Sequence, residues 1–167
     1  MCIRDSSYTV KAFDAAGNYS ASSNTAQVTT PPPSGSPSCS VPGTNGFSGC
    51  YYNNINLTGT PVLMNTTPQI TFDWAWGFPS APVPQANFSV RWQGRFQFAA
   101  GTYAFNVVTG DGVRVYVDGV KILDAWYDQA SYSYAVGQAL SAGSHLIALE
   151  YYDHTALPVI HLSWQPN

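Results

Sequence analysis

Residues 87–98 read NFSVRWQGRFQF. Phe88, Val90, Trp92, Phe96 and Phe98 fall on one side of an extended chain; Ser89, Arg91, Gln93, Arg95 and Gln97 fall on the other. Alternation of period two sustained over such a run defines a β-strand with one face on an apolar core and one in water. Gly94 interrupts the apolar side, which predicts a bend or a close approach of backbone there. The same period recurs at Tyr103-Phe105-Val107, Val113-Val115-Val117, Tyr132-Tyr134-Val136, Ile147-Leu149-Tyr151 and Ile160-Leu162-Trp164. No apolar period of 3.6 persists for about ten residues, so no substantial helix is expected. The fold class is all-β, an antiparallel, barrel-like β-sandwich.

Two Asp-Gly pairs punctuate these strands. Asp118-Gly119 is a two-residue connection between Val113–Val117 and Val120-Lys121-Ile122, a strong hairpin signal that needs no ligand to explain it. Thr109-Gly110-Asp111-Gly112 separates two alternating runs and is likewise read as a hairpin turn. The two aspartates bracket one strand and lie roughly 17 Å apart at ~3.3 Å per residue, so they cannot share a metal.

Charged residues make up only 9% of the chain and the formal net charge is −3. The six basic residues are scattered and form no patch to neutralise a phosphate backbone, so nucleic acid is excluded as a partner. No apolar run approaches the ~20 residues of a membrane-spanning helix, so membrane insertion is not expected. Solubility rests on Ser, Thr, Asn, Gln and Gly, and 5 Trp, 11 Tyr and 8 Phe supply the apolar mass. That balance suits an extracellular β protein. Cys39 and Cys50 flank a Gly/Pro/Ser-rich stretch. A disulfide between them suits an oxidising compartment, the alternative being two buried thiols. Cys2 has no evident mate.

The segment PPPSGSPS at 31–38 lacks backbone donors at its prolines and reads as a linker, placed at 31–45. Ahead of it, Tyr8, Val10 and Ala12 alternate before a turn at Asp14-Ala15-Ala16-Gly17-Asn18. The pattern resembles the last two strands of a fibronectin type III domain. Residues 1–30 are therefore expected to be a two-stranded C-terminal remnant of such a domain, with Met1-Cys2-Ile3-Arg4-Asp5 matching nothing in it and reading as an assembly scar.

From residue 46 onward a second resemblance applies. Gly46-Phe47-Ser48-Gly49-Cys50-Tyr51-Tyr52, Phe88–Gly94, Gly101-Thr102-Tyr103-Ala104-Phe105, Asp111–Gly119, Glu150-Tyr151-Tyr152 and Leu162-Ser163-Trp164 occur in the order and spacing of the domain named after the fourteen-kilodalton piece of anthrax protective antigen. That family is a β-sandwich carried by bacterial glycosidases, fungal flocculins and adhesins. The resemblance implies a secreted or cell-surface, non-catalytic carbohydrate-binding module of a larger glycosidase or adhesin. Its implied partners are cell-surface or polysaccharide glycans and other domains of the same polypeptide. The alternative is a structural spacer without a small ligand. Some members hold Ca²⁺, and through it sugar, with two consecutive aspartates joined by a cis peptide. Asp111 matches the second of these, and Gly110 stands at the first, where it offers only a carbonyl. Asp111 is thus either a calcium ligand together with the Gly110 carbonyl, or a turn residue capping nearby N–H groups.

Candidate sugar contacts follow from side-chain chemistry. A pyranose packs its C–H face on an aromatic ring while its hydroxyls take polar neighbours. Trp126 beside Asp128 and Gln129 offers such a platform, or else anchors the loop as part of the core. Of Trp74 and Trp76, one is expected to be buried. Asp153 and His154, in the polar run after the strand ending at Tyr152, join the site if the topology brings them to Asp111; otherwise they are a solvated connection. The candidate carbohydrate-binding set is therefore Asp111, Trp126, Asp128, Asp153 and His154. Catalysis has no support: no two carboxylates are paired by their spacing, no His-Glu-x-x-His zinc pattern occurs, and no Gly-x-Ser-x-Gly elbow is present.

Overall fold

The computed structural model describes residues 6–8, 11–23, 26–28, 39, 42–74, 79–154 and 158–167. Met1–Asp5, Trp76 and most of the expected linker lie outside them. The chain divides after Pro37 into two compact units. In the first, β1 (Ser6–Tyr8) pairs antiparallel with β2 (Ala26–Val28). Between them the expected turn forms at Asp14, whose Oδ1 accepts the N–H groups of Ala16 and Asn18, each at 2.9 Å.

The second unit is two antiparallel sheets facing each other. Its strands are β3 (Gly43–Thr44), β4 (Phe47–Tyr52), β5 (Leu63–Thr67), β6 (Ile70–Asp73), β7 (Phe88–Phe98), β8 (Gly101–Thr109), β9 (Val113–Val117), β10 (Val120–Ala125), β11 (Tyr132–Leu140), β12 (Gly143–Asp153) and β13 (Val159–Pro166). One sheet runs β10-β9-β12-β7-β4-β5, with β3 lying parallel to β7; the other runs β11-β8-β13-β6. No helix occurs among the described residues.

The alternation in residues 87–98 is realised along the whole of β7. Phe88, Val90 and Trp92 are fully buried, and Trp92 stacks on Phe72, which stacks in turn on Trp74. Trp164 packs among Phe47, Phe96, Phe98 and Phe105. Each large side chain removed from water contributes about 1.5–3 kcal/mol, so this aromatic layer is the main source of stability. Gly94 is where backbone comes close: a Cβ there would meet the Gly46 carbonyl oxygen at 2.2 Å.

Two expectations are corrected. Ser89, read as solvent-facing, is buried, because the segment after β4 lies over that end of the sheet. Its hydroxyl accepts the Leu57 N–H at 3.0 Å and donates to the Asn54 carbonyl at 2.6 Å. Thr109–Gly112 is not a hairpin. β8 pairs with β11 and β13, whereas β9 pairs with β10 and β12. Residues 110–112 therefore carry the chain from one sheet to the other. Alternation fixes which side faces the core but not which strand is the neighbour, so period alone did not distinguish the two.

Asp118-Gly119 does close a hairpin, with φ of 50° and 81° and Val117 paired to Val120. Beyond the turn, the Asp118 carboxylate accepts the Leu146 N–H at 2.8 Å and meets His145 Nδ1 at 2.5 Å. That hydrogen bond raises the His145 pKa above its ordinary value.

Cys39 and Cys50 form a disulfide with Cα atoms 5.9 Å apart, closing a short loop. Its loss is expected to cost about 2–3 kcal/mol from loop-closure entropy. A melting temperature several degrees lower for Cys50→Ser, and for reduced wild type, checks this; coincident unfolding of oxidised and reduced protein would contradict it.

Candidate functional site

Three connections meet at one end of the sandwich, and each crosses between the sheets: β8–β9 at residues 110–112, β10–β11 at 126–131 and β12–β13 at 154–158. The strand register brings them together, since Thr109 pairs with both Tyr132 and Ile160, while Val113 pairs with both Ala125 and Tyr151.

Asp111 is the pin. It sits at φ 61°, a left-handed conformation that Asp tolerates better than most residues. Its peptide with Gly110 is trans. Its N–H donates to the Gln129 carbonyl at 2.9 Å, and the Gln129 N–H returns to Asp111 Oδ1 at 3.3 Å. Gln129 Nε2 donates to the Asp111 carbonyl at 2.9 Å, and the His154 N–H donates to Asp111 Oδ2 at 2.8 Å. Gly110 N–H donates to Val159 O, and Tyr152 N–H to Gly112 O, each at 3.0 Å. One fully buried carboxylate thus ties two other loops to its own. Gly112 is obligatory beside it, because a Cβ would lie 2.0 Å from Tyr152 Cε1.

The outer layer of the cluster is open to solvent. Asp128 and His154 are exposed, and His154 Nδ1 lies 2.9 Å from Asp128 Oδ2. The other Asp128 oxygen accepts the Tyr152 hydroxyl at 2.8 Å. Burial, then Asp128, push the Tyr152 phenol above its usual range. Trp126 is half-buried, meeting Tyr152 edge-on at 4.7 Å with the Arg114 guanidinium 4.2 Å over its ring. Arg114 belongs to a ladder across the sheet, bonded to Asp124 and Glu150, with Glu150 also bonded to Arg91.

The structure therefore brings together all five sequence-predicted residues and sorts them by access. Asp128 and His154 reach solvent, Trp126 does so in part, and Asp111 and Asp153 do not. Asp153 is 1% exposed, its Oδ1 meets no donor, and its pKa is raised to about 7 by burial and by the Asp111 charge. Tyr152 and Arg114 escaped the sequence reading. Their signal was present in the outward positions they take beside inward Tyr151 and Val113, but residues so placed are ordinarily solvated.

A Ca²⁺ ion takes six to eight oxygens. Here Asp111 turns inward, each of its oxygens accepts an N–H, and the described residues gather no group of three or more His, Cys, Asp or Glu side chains suited to a metal. That donor set does not fit a calcium centre at Gly110-Asp111.

The fold and this loop cluster place the sandwich among known proteins. Residues 43–167 match the PA14 domain model, and the chain belongs to the PA14 domain family. Anti-sigma-I factor RsgI3 of Acetivibrio thermocellus is 36% identical over 122 residues, which is 72% of this chain but 19% of that protein. The chain thus spans about a fifth of that relative's length. The solved structure of an anti-sigma factor domain-containing protein superposes with a TM-score of 0.66 at 35% identity, covering 73% of this chain and 43% of that one. The PA14 sugar-binding domain from an RTX adhesin shares the fold, with a TM-score of 0.51 at 19% identity over 71% of this chain and 87% of that one.

Proposed function

We propose that the sandwich is a non-catalytic, extracellular or cell-surface carbohydrate-binding module of a larger polypeptide. Glycan hydroxyls would meet the exposed Asp128–His154 pair beside Trp126. The observation that carries this reading is the convergence of three inter-sheet connections on one exposed acceptor–donor pair, wired beneath by buried Asp111. A PA14 domain described as sugar-binding, with the same fold, supports it. We read the contact as independent of calcium and the N-terminal strands as the tail of a fibronectin type III-type neighbour. In a parent resembling the anti-sigma factor, the same contact would serve regulation, and in a glycosidase or adhesin, attachment.

Asp128→Ala and His154→Ala are each expected to weaken binding about tenfold, the worth of one charge-assisted hydrogen bond. Retention on immobilised polysaccharides, with and without chelator, measures this. Unchanged retention of both variants would remove the site assignment, and chelator-sensitive retention would restore calcium. A spacer role is the second reading, favoured by the burial of Asp111 and Asp153; wild type that binds no glycan in any medium would establish it over the first.

A further inference from the structure

The exposed large apolar side chains of the sandwich, among the described residues, are Val120, Tyr127 and Tyr132, at 64%, 55% and 58% exposure. Tyr127 and Tyr132 lie in and just after the connection between β10 and β11, the edge strands of their respective sheets, whereas Val120 lies at the other end of β10, beside the Asp118-Gly119 turn. Tyr127 and Trp126 are consecutive, yet they serve opposite sides of their loop. Trp126 packs on Tyr152, whereas the Tyr127 hydroxyl lies 2.9 Å from that of Tyr134. Tyr132 and Tyr134 follow on one face of β11, ring centroids 4.8 Å apart. Tyr134 donates to Gln129 Oε1 at 2.7 Å, and Gln129 is the residue locked to Asp111.

We propose that Tyr127, Tyr132 and Tyr134 form a second carbohydrate subsite, continuous with the loop contact, so that the ligand is a polysaccharide chain rather than a single terminal sugar. This rests on the glycan reading above. Three observations favour that occupant. The Tyr127 and Tyr134 hydroxyls are already engaged in a hydrogen-bond chain and Tyr132 packs on Tyr134, which orients the rings before any ligand arrives. The charged side chains of the neighbouring β10 are paired, Lys121 with Asp124 and Asp124 with Arg114, and Asp128 is held by Tyr152 and His154, so the rings suit a neutral chain of hydroxyls and C–H faces. The chain of bonds runs without interruption from Tyr127 through Gln129 to Asp111. A second copy adding a strand to β10 is disfavoured, because a register shift between Lys121 and Leu123 breaks that edge and Lys121 sits on it.

The test uses the full chain, screened by affinity electrophoresis against xylan, galactomannan, mixed-linkage β-glucan and polygalacturonate. The hexasaccharide and the monosaccharide of the best-retained polymer are then titrated calorimetrically. Wild type is expected to bind the hexasaccharide at least tenfold more tightly than the monosaccharide. Combined Tyr127→Ala and Tyr132→Ala should erase that advantage and leave monosaccharide affinity unchanged, whereas Asp128→Ala should weaken both. Tyr132→Phe, which keeps the ring, should retain most of the advantage. Both tyrosines are exposed, so an unaltered melting temperature serves as the folding control. Wild-type affinity in the double variant overturns the subsite, as does equal affinity for hexasaccharide and monosaccharide, and in either case the loop contact survives. Absence of any glycan binding overturns both readings. A wild-type dimer that dissociates on the double substitution overturns the subsite by giving these rings to a second copy.

Discussion

Gly112→Ala is expected to lower the melting temperature by roughly 10 °C and to abolish glycan retention. The added methyl would sit 2.0 Å from Tyr152 Cε1 and 2.5 Å from Cδ1. Tyr152 is 4% exposed and cannot swing aside freely, since it is wedged against Trp126 and donates to Asp128. Overpacking costs about 1–3 kcal/mol, occasionally more. So close an approach to a confined ring falls at the upper end, which sets the temperature shift for a domain of this size. Displacing the phenol also frees Asp128, which is how the change reaches the exposed pair. Gly137→Ala, where an added Cβ meets nothing within 4 Å, is expected to be nearly silent. In a Tyr152→Ala background the Gly112 substitution should cost much less, a non-additivity that assigns the clash to the ring. A Gly112→Ala protein melting within a degree of wild type would refute this packing.

Asp153→Asn is expected to stabilise the protein at pH 8 by several degrees, with the gain vanishing near pH 4. In the unfolded chain the carboxyl titrates near 3.8, and in the folded chain near 7. Between those values the folded state holds a proton that the unfolded state has lost, so this group's contribution to stability falls as pH rises and levels off above 7. At 1.36 kcal/mol per pKa unit the upper limit is roughly 4 kcal/mol. An amide removes the buried charge that the Asp111 carboxylate opposes. His145 also loses its contribution as pH rises through its raised pKa, but it does so in both proteins and cancels in the difference. Melting curves of the two proteins from pH 4 to 8, in chelator and in calcium, provide the measurement. Were Asp153→Asn to destabilise at pH 8 while calcium stabilised wild type, a cation would be neutralising the pair.

Strand positions were legible because an amphipathic sheet must alternate: the runs through Phe88–Phe98, Val113–Val117 and Ile147–Tyr151 all formed, and Asp118-Gly119 turned as its chemistry requires. What period two does not encode is sheet membership, so Thr109–Gly112 read as a hairpin when it is a crossing. Burial on the outer face was hidden for the same reason, since Ser89 is covered by a segment remote in sequence. The five candidate residues did converge, but their access was not legible. Whether Asp111 and Asp153 face solvent depends on packing between segments remote in sequence, and the capping by Asp111 reaches Gln129 and His154 on other connections rather than its own turn.

The three crossings carry a mechanical consequence. The exposed pair is built from connections that stitch one sheet to the other, so any pull that parts the sheets disassembles the gripping surface before strand pairing fails. On the proposed function, a module loaded through the rest of its polypeptide would let go of its glycan while still folded, and could grip again once the load is removed.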